Sequence, residues 1–73
     1  MVVDREQLAR GNAERLRYAE EHGMDVLYAE QANGRFETWA YSDGLRVPMP
    51  PFYDIQGLQE YAKRHNYAII YVN

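Results

Sequence analysis

Residues 27–41 read LYAEQANGRFETWAY, and the dipeptide Asn33-Gly34 at their centre decides the fold. Both residues of a two-residue hairpin turn take positive φ, which Asn and Gly tolerate best. Because the flanking segments favour strands, residues 24–32 and 35–41 are predicted to form an antiparallel hairpin. A turn of this length also fixes the register. The predicted cross-strand pairs are Gln31/Phe36, Glu30/Glu37, Ala29/Thr38, Tyr28/Trp39, Leu27/Ala40 and Val26/Tyr41.

A helix is predicted on each side of this hairpin. The first covers residues 4–22: Asp4 and Gln7 have the spacing of a capping box, and Gly23 supplies a left-handed stop. Its inner stripe at helical period is predicted to be Leu8, Ala9, Ala13, Leu16 and Ala19. Asn12 also falls in this stripe, where a buried amide with satisfied hydrogen bonds is expected.

The second helix is predicted to begin at Asp54 and to close at Asn66, with Tyr53 and Leu58 packed as a hydrophobic staple. Residues 67–73 follow as a last strand. Residues 44–54, GLRVPMPPFYD, join the hairpin to this helix. Because proline disfavours both helix and strand, the segment is interpreted as a stiff connector with a P-x-x-P spacing and an outer edge available to a partner.

These elements predict one α+β domain spanning residues 1–73. The order is α-β-β-α-β, in two layers, with both helices on one face of a three-stranded sheet that contains the hairpin as its N-terminal pair. A chain of 73 residues buries only about 60% of the surface that its unfolded form exposes. Some of its seven Tyr, one Trp and two Phe are therefore expected at the surface.

Alternation along the strands divides their side chains into two sets. The first is small and mostly aliphatic: Leu27, Ala29, Phe36, Thr38, Ala40, Ala68, Ile70 and Val72. The second joins aromatic rings to carboxylates: Val26, Tyr28, Glu30, Glu37, Trp39, Tyr41, Tyr67, Ile69 and Tyr71. Because the first helix offers mainly Ala, the small set is expected beneath the helices. The alternative is that the faces are reversed, or that residues 44–54 cover the aromatic set.

If the aromatic set is open, it forms a platform of the kind that usually marks an interaction site. The residues expected to contact a partner are Tyr28, Glu30, Glu37, Trp39, Tyr41 and Tyr71, joined by Met49 and Phe52 from the Pro-rich segment. A protein partner is the first expectation. Two alternatives use the same face: a homodimer with a regulatory role, and stacking of single-stranded nucleic acid. The second is disfavoured by a net charge of -3 and by the two carboxylates in the platform.

The sequence offers little for catalysis. It has no Cys, its two His residues lack metal-ligand spacing, and no phosphate-binding loop or serine-hydrolase motif occurs. Glu30 and Glu37 are predicted to lie opposite one another, where like charges repel unless they splay into solvent or pair with Arg35. The expectation is a non-enzymatic protein without cofactor or metal. With no apolar run of about 20 residues, no membrane span is expected, and the absence of Cys favours the cytoplasm.

A compact, Cys-free, mildly acidic and Tyr-rich chain of this kind resembles the small phage-encoded inhibitors of bacterial defence, the anti-CRISPR type. The resemblance covers the whole chain and is carried by its size, by LYAEQANGRFETWAY, and by the terminal strand YAIIYVN. It implies that the partner is a bacterial defence nuclease or surveillance complex, blocked by occlusion of its surface, in the cytoplasm of the host cell. Those inhibitors share no common motif, so the resemblance assigns no role to any residue.

Overall fold

The computed structural model describes residues 5–72. Two helices and four strands follow one another along the chain: α1 Arg5–His22, β1 Asp25–Ala32, β2 Arg35–Ser42, β3 Leu45–Phe52, α2 Ile55–Arg64 and β4 Tyr67–Val72. The predicted capping residue Asp4 lies outside the described residues. Within residues 5–72 no helix combines the length and the apolar character that crossing a bilayer requires.

The strands form one mixed sheet in the order β3-β2-β1-β4. β1 pairs with β2 and β2 with β3 in antiparallel fashion, whereas β1 and β4 are parallel. The predicted α+β class is therefore confirmed, but the prediction of a three-stranded sheet is wrong. The missing strand is β3, which occupies the segment that was interpreted as a connector.

β3 forms because Asp43-Gly44 makes a second turn of the same kind as Asn33-Gly34. Backbone φ is 54° at Asn33, 75° at Gly34, 53° at Asp43 and 79° at Gly44, as a two-residue hairpin turn requires. The three prolines are tolerated because β3 is an edge strand. The β2–β3 register shifts between Phe36 and Thr38, and there the Thr38 hydroxyl donates a 2.9 Å hydrogen bond to the carbonyl of Pro50.

The pairing of β4 with β1 decides which side chains of β4 face the core. Leu27 lies beside Ile69 and Ala29 beside Tyr71, so Ile69 and Tyr71 are on the same face of the sheet as Leu27 and Ala29. The prediction that Tyr67, Ile69 and Tyr71 belong to the aromatic face is wrong. Ala68, Ile70 and Val72, which lie beside Val26, Tyr28 and Glu30, occupy that face instead.

The core lies between α2 and the face of the sheet that carries Leu27 and Ala29. Leu27 and Leu58 are completely buried, and Ala29, Ala62 and Ile69 join them. The start of α2 at Asp54 is as predicted, since its carboxylate accepts a 2.6 Å hydrogen bond from the backbone N–H of Gly57.

The two ends of α2 differ in how well the sequence predicted them. Asn66 follows the helix with a φ of 61°, in the left-handed conformation expected at its end. The hydrophobic staple is absent, because Tyr53 is 73% exposed while Leu58 is fully buried.

α1 runs beside β4, and its inward stripe differs from the predicted one. Leu8, Asn12, Arg15 and Ala19 face inward, whereas Ala9, Ala13 and Leu16 are exposed. Two of the inward residues are polar because they bind the free backbone edge of β4. The Asn12 side chain donates to the Tyr71 carbonyl at 2.7 Å and accepts from the Tyr71 N–H at 3.0 Å.

Candidate functional site

The face of the sheet opposite the core carries most of the residues predicted to contact a partner. We define the open face as Tyr28, Glu30, Glu37, Trp39, Tyr41, Arg46 and Pro48, and Ile70 and Val72 continue it onto β4. The register brings Ile70, Tyr28, Trp39 and Pro48 into one apolar row across all four strands. Charged groups lie on either side of this row. Aromatic residues and Arg, both present on this face, are enriched in protein interfaces.

Trp39 is the centre of the open face, but it is not exposed as expected. Its exposed fraction is 8%, although it lies on the face of the sheet opposite Leu27, Ala29 and the core residues of α2. The guanidinium carbon of Arg46 lies 4.2 Å from the centroid of the Trp39 ring, and Tyr28 stacks beside the indole with centroids 5.9 Å apart. What a partner meets at the centre is thus an arginine held on an indole, which is a favourable cation–π contact.

Tyr41 is the most accessible ring of the open face. It is 56% exposed and meets Tyr28 edge to face, with centroids 5.5 Å apart and ring planes at 86°. This contact holds Tyr41 in place from one side while leaving the rest of its surface free. A ring that is already oriented loses little conformational entropy when a partner covers it.

Glu30 and Glu37 lie directly opposite one another, as predicted. Arg35 relieves the repulsion, because its Nε and Nη2 atoms both lie 2.7 Å from the same Glu37 oxygen, Oε1. The hydrogen bond to Glu37, with the charge of that carboxylate, raises the pKa of Arg35 above its ordinary value. Glu37 is therefore paired within the chain. No hydrogen bond or ion pair of Glu30 is seen among the described residues.

Three predicted contact residues lie on the other face of the sheet. Tyr71 packs against the core and beneath the guanidinium of Arg15, whose carbon is 5.2 Å from the ring centroid. Met49 and Phe52 also pack against the core, and Phe52 contacts the ring of Tyr61 with centroids 5.0 Å apart. The structure thus separates these three residues from Tyr28, Trp39 and Tyr41.

Both edges of the sheet are closed to the addition of a further strand. At β4, Asn12 binds both backbone groups of Tyr71, and the Arg15 Nε donates to the Ile69 carbonyl at 2.9 Å. At β3, Pro48, Pro50 and Pro51 have no N–H to offer. In an antiparallel hairpin, hydrogen-bonded and non-hydrogen-bonded residue pairs alternate, and the pair next to a two-residue turn is hydrogen-bonded. Trp39/Pro48 is therefore a non-hydrogen-bonded pair, so an N–H at position 48 would point away from β2, toward the outer edge. Protected edges of this kind prevent edge-to-edge association.

The hairpin strands separate at one end and leave a cleft. Their ladder ends where Tyr28 lies opposite Trp39, so the predicted pairs Leu27/Ala40 and Val26/Tyr41 do not form. Beyond this point β1 pairs only with β4, and β2 only with β3. A cleft of about 400 Å³ lies there, and its walls come from both faces of the sheet. Its lining residues are Asp25, Val26, Tyr28, Ala40, Tyr41, Ser42, Val47, Met49 and Tyr67.

Two residues of this region were missed from sequence. Neither Arg46 nor Asp25 was predicted to contact a partner. The turn signal in Asp43-Gly44 places Arg46 opposite Tyr41, so recognising the second hairpin would have assigned it to the aromatic face. Asp25 has no comparable signal, because its position at the cleft depends on where the β1–β2 ladder ends.

Comparison with known proteins found no relative of this chain. The chain matches no family model, no curated protein and no solved structure.

Proposed function

We propose that this chain is a non-enzymatic protein that binds another protein through the open face of its sheet. The observation that carries the proposal is the row of Ile70, Tyr28, Trp39 and Pro48, which crosses all four strands on the side away from the core. Aromatic residues and Arg supply a large share of the energy in protein interfaces. Here three such residues, Tyr28, Tyr41 and Arg46, are held in place by contacts with one another and with Trp39.

The closed edges of the sheet support binding across the face. A partner that added a strand at β4 would have to displace the hydrogen bonds of Asn12 and Arg15. A partner at β3 would find a strand in which three of eight residues are prolines. Backbone pairing at either edge is therefore costly, whereas a partner can reach the exposed side chains of Tyr41 and Arg46 without breaking backbone hydrogen bonds.

The charges of the open face favour a protein over a nucleic acid. Glu30 and Glu37 lie within the face, and Arg35 is already paired with Glu37. Stacked bases would bring phosphates close to these carboxylates, while Arg46 is engaged with the indole of Trp39. A protein surface with its own mixture of charges meets both signs without such repulsion. We favour a different protein over a second copy of this chain as the partner.

As an inhibitor the chain would act by occluding its partner. The resemblance to small phage-encoded inhibitors makes bacterial defence nucleases and surveillance complexes the first partners to test. Occlusion requires only a rigid surface and no reacting groups, which agrees with a face built of stacked rings and one internal ion pair.

Two tyrosines of nearly equal exposure provide a matched test. Tyr41 on the open face is 56% exposed, and Tyr18 on α1 is 54% exposed. Tagged wild-type protein, Tyr41→Ala and Tyr18→Ala are used to capture proteins from bacterial lysates that contain active defence complexes. Each captured protein is then purified, and its affinity for the three variants is measured by calorimetry.

The proposal predicts a partner whose affinity falls about thirtyfold or more with Tyr41→Ala, the loss expected of an interface anchor, and changes little with Tyr18→Ala. Equal losses for the two variants would contradict it. So would the absence of any protein that binds wild type better than Tyr41→Ala.

A further inference from the structure

The cleft between the separating ends of β1 and β2 is distinct from the flat part of the open face. In a continuous ladder the two faces of a sheet are kept apart by paired backbones. Here the lining includes Tyr28 and Tyr41 from the open face together with Val47 and Tyr67 from the other face. A cleft lined from both sides exists only because the β1–β2 ladder stops at Tyr28 and Trp39.

Three aromatic residues line the cleft. Tyr28 and Tyr41 stand nearly perpendicular, at 86°, so they form two adjoining walls. Tyr67 of β4 lines the cleft from the opposite face of the sheet, where its ring also lies near those of Tyr61 and His65. The face of an aromatic ring carries negative electrostatic potential, and sites that bind ammonium groups commonly surround them with several such rings.

The charge of the lining has one sign. Asp25 contributes a carboxylate at the start of β1, and among the described residues no Lys, Arg or His lines the cleft. Arg46 lies opposite Tyr41 in the ladder, but its guanidinium is placed over Trp39 and does not line the cleft. The site therefore combines a carboxylate with three phenols and lacks a cation of its own.

We propose that this cleft accepts the cationic head of a basic side chain, a lysine ammonium or an arginine guanidinium, presented by the partner protein. The inference rests on the proposed function and deepens it by naming the chemistry that the partner brings. The rings of this protein already accept cations internally, since Arg15 lies over Tyr71 and Arg46 over Trp39. Apolar residues such as Val47 and Met49 would contact the methylene stem of the inserted side chain.

The test uses small probes and needs no partner. ¹⁵N-labelled protein is titrated with tetramethylammonium chloride, and separately with Nα-acetyl-lysine methylamide, whose side-chain ammonium is free, while the amide resonances of the protein are recorded. Two matched controls are sodium chloride at the same ionic strength and tert-butanol, which resembles tetramethylammonium in shape but carries no charge. Saturable shifts are expected at Val26, Tyr28, Tyr41, Ser42 and Tyr67, with dissociation constants in the millimolar range.

Substitutions at the cleft distinguish the contribution of the Asp25 charge from that of the Tyr41 ring. Tyr41→Phe keeps the aromatic face and is expected to bind as wild type, whereas Tyr41→Leu is expected to bind about fivefold more weakly, the loss of roughly one cation–π contact. Asp25→Asn is expected to weaken both cationic probes. Because Asp25 and Tyr41 are exposed, these variants are expected to fold, and the dispersion of the amide spectrum verifies it.

The proposal is overturned if tert-butanol or sodium chloride produces the same shifts as tetramethylammonium, or if no shift saturates. It is also overturned if Tyr41→Leu binds both cations as tightly as Tyr41→Phe. A negative titration alongside a partner whose binding depends on Tyr41 would refute the cleft and leave the open face as the interface. A positive titration without any such partner would refute the proposed function alone.

Discussion

The hydrogen bonds of Asn12 allow the closure of the β4 edge to be tested quantitatively. Asn12→Ala removes two hydrogen bonds to the backbone of Tyr71 and one from the Nη2 of Arg15. The bonds to Tyr71 are partly buried and join residues 59 positions apart, so they fasten α1 to the last strand. A net hydrogen bond contributes about 1 kcal/mol, and a buried group left unpaired costs about 1–3 kcal/mol.

The expected loss follows from these terms. Losing the two bonds to Tyr71, which water at the edge partly replaces, lowers the free energy of unfolding by about 2.5 kcal/mol. The better helix propensity of Ala raises it by about 0.6 kcal/mol. The net loss is about 2 kcal/mol. A domain of this length has a total stability of roughly 4–11 kcal/mol, so the change is a large fraction of it. The melting temperature should fall by roughly 8–16 °C.

The assay is urea unfolding followed by circular dichroism and by Trp39 fluorescence. Glu14→Ala is the matched control, because Glu14 is an exposed residue of the same helix, and its cost should lie within about 0.5 kcal/mol of zero. Asn12→Asp keeps the acceptor for the Tyr71 N–H but sets a carboxylate oxygen against the Tyr71 carbonyl, so it should not restore the stability of wild type. An Asn12→Ala loss as small as that of Glu14→Ala would refute the argument that this side chain secures the edge.

Four further predictions concern other parts of the fold. Arg46→Ala should uncover the indole of Trp39, so acrylamide should quench its fluorescence more strongly than in wild type; unchanged quenching would mean that Arg46 does not cover the ring. Pro48→Thr restores an N–H at the outer edge of β3 and should promote self-association, measured as a larger mass by sedimentation; a variant that stays at the wild-type mass would contradict this role. Gly44→Ala places a side chain at a φ of 79° and should cost about 1 kcal/mol in urea unfolding, and an unchanged midpoint would argue against the turn. Leu58→Ala, at a completely buried position, should cost about 2–5 kcal/mol, whereas a loss below 1 kcal/mol would place α2 away from the core.

The first hairpin and the second helix were predictable because local chemistry determines them. Asn33-Gly34 fixed the turn and the pairs nearest to it, and Asp54 and Asn66 marked the start and end of α2. The same turn chemistry in Asp43-Gly44 was available and was outweighed by the prolines that follow it. Prolines argue against a central strand but not against an edge strand, so the position of β3 in the sheet decides the matter.

The faces of β4 were not predictable by alternation. The strand reads YAIIYV, and both of its alternating sets are apolar, so the pattern does not indicate which set faces the core. That choice is made by the pairing of Leu27 with Ile69 and by α2. The inward stripe of α1 was predicted only in part. Asn12 was expected there as a hydrogen-bonded amide and binds the backbone of Tyr71, whereas Arg15, which was not expected there, faces inward and donates to the Ile69 carbonyl.

The candidate site was predictable in part. The hairpin register alone brings Tyr28 beside Trp39 and Glu30 beside Glu37, and the structure contains both pairs. Burial of the indole beneath Arg46 required knowledge of the second hairpin. Predicting the cleft would have required knowing where the β1–β2 ladder ends, which depends on the competing pairings of β1 with β4 and of β2 with β3.

Transferred cross-saturation from a captured partner to the labelled protein tests the central claim most directly, because it reports which residues the partner touches. Binding through the open face predicts loss of signal at Tyr28, Tyr41 and Arg46, with none at Leu16 of α1 or Ile55 of α2, which are also exposed. Loss of signal confined to Leu16 and Ile55 would contradict the account and place the interface on the helices.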